Sequence, residues 1–118
     1  MKLVWTEKID LTTDEVSTIR EVAGVYRLGY LDPTDNKYKV YYVGQAANLK
    51  TRLTNHLSEN EENSCCKRHL SNYNCYFKAA GVSTQSDRDA CERALYDHFE
   101  PPCVEKVPDV DPADINYD

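Results

Sequence analysis

Apolar positions along this chain fall into short blocks whose spacing alternates between strand and helix periods. A brief apolar run, Leu3-Val4-Trp5, opens the sequence, and Trp5 is read as a packing residue. Thr12 followed by Glu15 has the form of a capping box, with Val16, Ile19 and Val22 spaced for one face of a short helix. From Gly24 the string GVYRLGYL alternates β-branched and aromatic residues and predicts a strand. The turn formers Asp32-Pro33-Thr34-Asp35-Asn36 separate it from a second strand, Tyr38 to Val43, which Gly44 ends. Together they predict an antiparallel hairpin.

Asn48 can cap a helix in which Leu49, Leu53 and Leu57 recur every four residues as a core stripe. On the neighbouring face Arg52 and His56, also four apart, point the same way, toward the hairpin's exposed rim. Glu59 to Asn63 reads as a polar loop, Cys66 to Asn72 as a short helix, and Asn74 to Ala80 as a third strand stopped by Gly81. Ser86 or Asp87 then caps a helix over about 88–99, with Cys91, Leu95, Tyr96 and Phe99 as its buried stripe, ended by Pro101-Pro102. The remainder is acidic, carries two more prolines, and is expected to wrap the surface irregularly. No internal repeat interrupts this order. The expected fold is α+β: a small three-stranded antiparallel sheet flanked by helices, in a single domain over 1–118 with its core at about 23–102.

Composition adds limits. With 118 residues, 41% hydrophobic and 29% charged, the chain has the make-up of one ordinary globular domain. No apolar run approaches the ~20 residues of a membrane span. Glu7, Lys8 and Asp10 break the first apolar stretch, so it is not read as a signal peptide. Five cysteines without an export signal point to a reducing compartment, read here as the cytoplasm, and their odd number argues against a full disulfide framework. Cys65, Cys66, His69 and Cys75 invite a zinc reading. Adjacent cysteines chelate poorly, however, and Cys75 falls in a strand, so buried free thiols are expected.

The net charge of −6 weighs against an isolated nucleic-acid binder, since phosphate affinity rests on Lys and Arg. Much of the acid lies at Glu59 to Glu62 and Asp109 to Asp118, whereas Lys37, Lys39, Lys50, Arg52, Lys67 and Arg68 cluster the base. A local basic face is compatible with that arrangement.

Gly24-Val25-Tyr26, then Tyr42-Val43-Gly44, then Arg52 and His56, then Glu92 with Leu95-Tyr96 and Pro101, resemble in order the motifs of the GIY-YIG nuclease family. The string YVGQAANLKTRLTNHL is similar to the start of bacterial UvrC proteins and also resembles phage homing endonucleases. The resemblance implies a metal-dependent endonuclease that cuts DNA in repair, recombination or mobile-element processing. It implies that Glu92 holds Mg2+ (or Mn2+), a hard ion satisfied by one or two carboxylates, while Arg52 grips the scissile phosphate. One of Tyr26 and Tyr42 takes the proton of the attacking water; which one stays open. Such a role needs a phenol pKa below its usual ~10. His56 orients water, hydrogen-bonds a tyrosine or donates to phosphate. Gly24 and Gly44 allow close approach of backbone and substrate, and Gln45 and Lys50 join the substrate-binding set.

Two departures from the pattern stand out. Gln45 occupies a place where UvrC proteins tend to carry lysine, and Cys103-Val104 follows Pro102 where the family places an asparagine. Asn116 is expected to return to the site on the tail. The competing readings are a non-catalytic scaffold that binds protein or nucleic acid, and a nuclease that needs a partner subunit for DNA affinity. No membrane partner is expected.

Overall fold

The computed structural model describes all 118 residues. Its elements run β1 (Ile9–Asp10), α1 (Thr13–Val16), β2 (Gly24–Asp32), β3 (Lys37–Ala46), α2 (Leu49–Leu57), α3 (Ser64–Asn72), β4 (Cys75–Gly81) and α4 (Gln85–Phe99). The three expected strands form an antiparallel sheet with β2 in the middle, and the two-residue β1 extends it to the order β1-β4-β2-β3. The first helix is shorter than its apolar spacing suggested. Thr12 caps it as expected, but it stops after Val16. The last helix begins earlier, capped by Thr84 rather than Ser86 or Asp87.

Alternation along β2 divides the interior into two layers. Tyr26 and Leu28 face Leu49 and Leu53 of α2, together with Val16, Phe77 and Cys66. Val25 faces the opposite way, onto Cys91, Ala94 and Leu95 of α4. Leu28, Leu53, Phe77 and Leu95 are fully buried, each side chain contributing roughly 1.5–3 kcal/mol by leaving water.

The hairpin carries one irregularity that positions the site. Leu28 pairs with Tyr42 but Gly29 pairs with Val40, so Tyr41 is an extra residue in β3. A bulge of this kind turns two consecutive side chains to one side. Tyr41 and Tyr42 accordingly both enter the α2 layer, while Val40 and Val43 pack toward α4.

β3 is an edge strand, and the chain after α4 covers it. The Cys103 backbone N–H donates to Tyr41 O at 2.9 Å, and Cys103 is disulfide-bonded to Cys65 at the start of α3. This corrects the expectation of free thiols throughout: Cys66, Cys75 and Cys91 are free, but Cys65 is not. The sequence offered no warning, because the two partners lie 38 residues apart.

The acidic tail lacks regular structure, yet it is fastened. Asn116 Oδ1 accepts from Leu3 N at 2.6 Å, its Nδ2 donates to Leu3 O at 2.9 Å, and Trp5 Nε1 donates to Asn116 O at 2.9 Å. Asn116 therefore braces the N-terminal segment, satisfying an otherwise open backbone edge, instead of returning to the pocket. Trp5 packs as expected, with the Arg27 guanidinium 4.8 Å from its ring.

Candidate active site

The two glycines of the hairpin motif leave room for different neighbours. A Cβ on Gly24 would stand 2.2 Å from Ala80 O and 2.8 Å from Leu49 Cδ1. Its missing side chain thus admits β4 and α2, not a substrate. A Cβ on Gly44 would stand 2.5 Å from Tyr26 Oη, so Gly44 is what lets that hydroxyl lie across β3.

Tyr26 is fully buried. Its hydroxyl sits 2.7 Å from His56 Nε2, and His56 Nδ1 is bonded to Glu61 Oε2. Glu61 was unremarkable in the sequence, one acid in a polar loop, yet it is only 4% exposed. Its other oxygen accepts from Asn63 N at 3.1 Å, and Asn63 in turn caps α3. His56 likewise departs from the expectation of a rim residue: it lies beneath the tyrosines, 3% exposed, its ring edge-on to both. Burial lowers its pKa, against the pull of Glu61, and so favours the neutral imidazole. Glu61 then accepts the proton on Nδ1, leaving Nε2 to accept from the Tyr26 hydroxyl.

Tyr42 occupies the front of the cluster, its ring centroid 6.1 Å from that of Tyr26. Arg52 Nη2 donates to its hydroxyl at 3.4 Å. Burial lifts the Tyr42 pKa to about 12, Glu105 adds to the rise, and Arg52 opposes it. The Tyr26 pKa is likewise raised well above its ordinary value, by burial first and then by the adjoining Tyr42 hydroxyl. Both phenols thus hold their protons at neutral pH. Burial alone would lower the Arg52 pKa, but the two tyrosines and Glu105 outweigh it.

Glu92 reaches this region from α4, on the other side of the sheet. Together with Tyr42, Tyr96 and Glu105 it lines a narrow pocket. Its carboxyl is 8% exposed, and burial raises its pKa to about 7, with Gln45 opposing as a hydrogen-bond partner and Asp89 and Glu105 adding to the rise. Gln45 Nε2 donates to Asp89 at 2.7 Å, which fixes this residue against α4 beside Glu92. Lys50, on the first turn of α2, is half-buried.

The structure therefore gathers Tyr26, Tyr42, Arg52 and His56 at one place, and Glu92 lines one pocket with Tyr42. Gly44 and Gln45 border this cluster; Gly24 is committed to packing and Asn116 to the N-terminal segment. Glu61 and Glu105 are the additions. A charged residue forecast for a loop gives no sign in sequence that it turns inward, so neither was legible. A cavity larger than the Glu92 pocket lies elsewhere, an apolar groove lined by Ile19, Val22, Leu49 and Val82. It holds none of these groups.

No curated protein matches this chain. Among solved structures it resembles the GIY-YIG N-terminal endonuclease domain of UvrC from Thermotoga maritima, in three point mutants of that domain, each bound to its catalytic divalent cation. Identity is 18% for two of the mutants and 17% for the third. Each match has a TM-score of 0.60 and covers 79% of this chain and 93% of the other. A family model described as the GIY-YIG catalytic domain matches residues 23–113, so this chain belongs to the GIY-YIG family.

Proposed function

We propose that this chain is a divalent-metal-dependent endonuclease that hydrolyses a phosphodiester bond of DNA, in repair, recombination or mobile-element processing. One observation carries the reading: two phenols, a guanidinium, an imidazole and a carboxyl from β2, β3, α2 and α4 converge beside β3. A scaffold that only docks onto a partner has no need to hold these groups together.

The donor set fits a hard divalent ion. Glu92 and Glu105 line the same narrow pocket and offer it carboxylate oxygens, while its Cys103 sulfur is held in the disulfide and Lys106 borders it. Burial drives the Glu92 carboxyl toward its neutral form, the condition that a bound cation reverses. Glu92 would hold Mg2+ (or Mn2+), which supplies charge stabilisation at the phosphoryl and leaving oxygens when bound. The protein's own groups do the rest. Arg52 grips a non-bridging phosphate oxygen with its planar fork, Tyr42 faces the attacking water, and Tyr26 and His56 lie behind it. Gln45, held against α4 beside Glu92, and Lys50 of α2 would add further substrate contacts.

The Cys65–Cys103 disulfide weighs against the cytoplasmic setting expected from the cysteine count, because a reducing compartment keeps such pairs open. No helix is long and apolar enough to cross a membrane. The net charge of −6 favours help from a partner subunit in holding DNA.

Nicking of supercoiled plasmid with Mg2+ or Mn2+ tests the reading. The parent is expected to nick, and Glu92→Ala and Arg52→Ala to lose more than about a hundredfold. A parent no faster than Glu92→Ala would return the chain to the binding-module class.

A further inference from the structure

Glu61, His56 and Tyr26 form a continuous buried chain of hydrogen bonds, and its far end has no structural need to be charged. Tyr26 is fully buried, His56 3% exposed and Glu61 4% exposed. The loop after α2 turns inward at Glu61, whose Oε2 meets His56 Nδ1 while Oε1 accepts from Asn63 N. A carboxylate with no positive partner is costly to bury, and a neutral amide of the same shape would cap Asn63 equally well. What the amide could not do, with its oxygen held by Asn63 N, is accept the proton on His56 Nδ1.

We propose that Glu61 is a positioning residue: by accepting the proton on His56 Nδ1, it leaves Nε2 bare to receive the proton of the Tyr26 hydroxyl. This rests on the nuclease reading and deepens it, since it also settles the order of the two phenols. Tyr26 is sealed from solvent, so Tyr42, which lines the pocket, is the phenol that meets water. As hydroxide forms, the water's proton passes to the Tyr42 oxygen, the Tyr42 proton to the Tyr26 oxygen, and the Tyr26 proton to His56 Nε2. The new bond is oxygen to phosphorus, the bond broken is phosphorus to the leaving oxygen, and solvent returns a proton to that oxygen. The imidazolium so formed stands against the Glu61 carboxylate. No free phenolate is required, which removes the difficulty posed by two phenols with elevated pKa values.

The other groups facing the imidazole are Tyr42 from β3, Arg52 from α2, the Cys66 thiol of α3 and Glu105 from the tail. Cys66 and Tyr42 are neutral, their pKa values pushed up to about 12 mainly by burial. Arg52 opposes protonation of His56. Glu61, in hydrogen-bond contact with the ring, is the carboxylate placed to stabilise it.

The test uses the full chain. In the parent, 15N NMR of the histidine side chains is expected to show His56 with its proton on Nδ1; a proton on Nε2 overturns the proposal without any variant. In Glu61→Gln the amide donates to Nδ1 and moves the ring proton to Nε2. Single-turnover nicking is then expected to fall by about a hundredfold or more while DNA affinity stays within about twofold. A Glu61→Gln variant that folds, shows the exchanged tautomer and nicks at the parental rate sinks the relay and leaves the nuclease reading intact. An inactive parent sinks the nuclease reading alone, and the tautomer measurement still decides the role of Glu61.

Discussion

Arg52 Nη2 and Glu105 Oε2 stand 3.5 Å apart, so the arginine expected to hold phosphate is paired with an acid from the chain beyond α4. The same guanidinium touches the Tyr42 hydroxyl. Glu105 thus sits on the phosphate-binding group while also facing Glu92.

Both partners of that pair are about a third or more exposed, so its own contribution to stability is small, on the order of 0.5 kcal/mol. Its effect on a phosphate ligand is larger, because the ligand must displace it. Glu105→Gln is expected to tighten DNA binding about three- to tenfold with little change in melting temperature. Titration of a fluorescent oligonucleotide at fixed salt checks this; unchanged affinity would mean that the pair does not compete with phosphate.

Glu92 makes stability depend on pH in the opposite sense from a salt-bridged acid. Its folded pKa of about 7 lies above the ordinary 4.5. Below 4.5 both states hold the proton and the residue has no effect. Between 4.5 and 7 the unfolded chain ionises while the folded one does not, so stability falls as pH rises. Above 7 the full penalty is present, up to about 3 kcal/mol. Without metal, Glu92→Gln is therefore expected to melt higher than the parent at pH 8 and equally at pH 4. Added Mg2+ should raise the parent alone.

Gly44→Ala tests the crossing of Tyr26 over β3. The added methyl would fall 2.5 Å from the phenol oxygen and 2.6 Å from Cζ, so the ring must move off His56. Expected are a stability loss of about 1–3 kcal/mol and a drop in nicking rate that exceeds any loss of DNA affinity. Equal rates in the two proteins would separate Tyr26 from the chemistry.

The Cys65–Cys103 bond predicts three titratable thiols in the unfolded, unreduced protein and five after reduction. For a 38-residue separation, chain entropy gives about 4 kcal/mol. Reduction, or Cys103→Ser, should lower the melting temperature accordingly, as calorimetry can show. Five thiols in the untreated protein would contradict the bond.

Much of this architecture could be read from the sequence. Turn formers at 32–36, the leucine spacing of α2 and the prolines after α4 each force a local choice, and the structure follows all three. The four-residue step from Arg52 to His56 and the two tyrosines also came through. What stayed hidden depends on distant partners. Glu61 is defined by a histidine reached only when the loop folds back, and Asn116 by an N-terminal backbone 113 residues away. Cys103 replaces an expected site residue, and the backbone there serves the edge of β3 instead.

The extra residue at Tyr41 has a consequence for how the hairpin can vary. It resets the inside-outside phase of β3 between its tip and its Gly44 end, so the two halves keep separate frames. Lengthening or trimming the tip around Asn36 in matched pairs leaves Tyr42 aimed where it is. Deleting Tyr41 would instead force one half of the strand to present its wrong face. The outer hairpin is thus the part of this sheet most open to change, and the tyrosine pair the part least so.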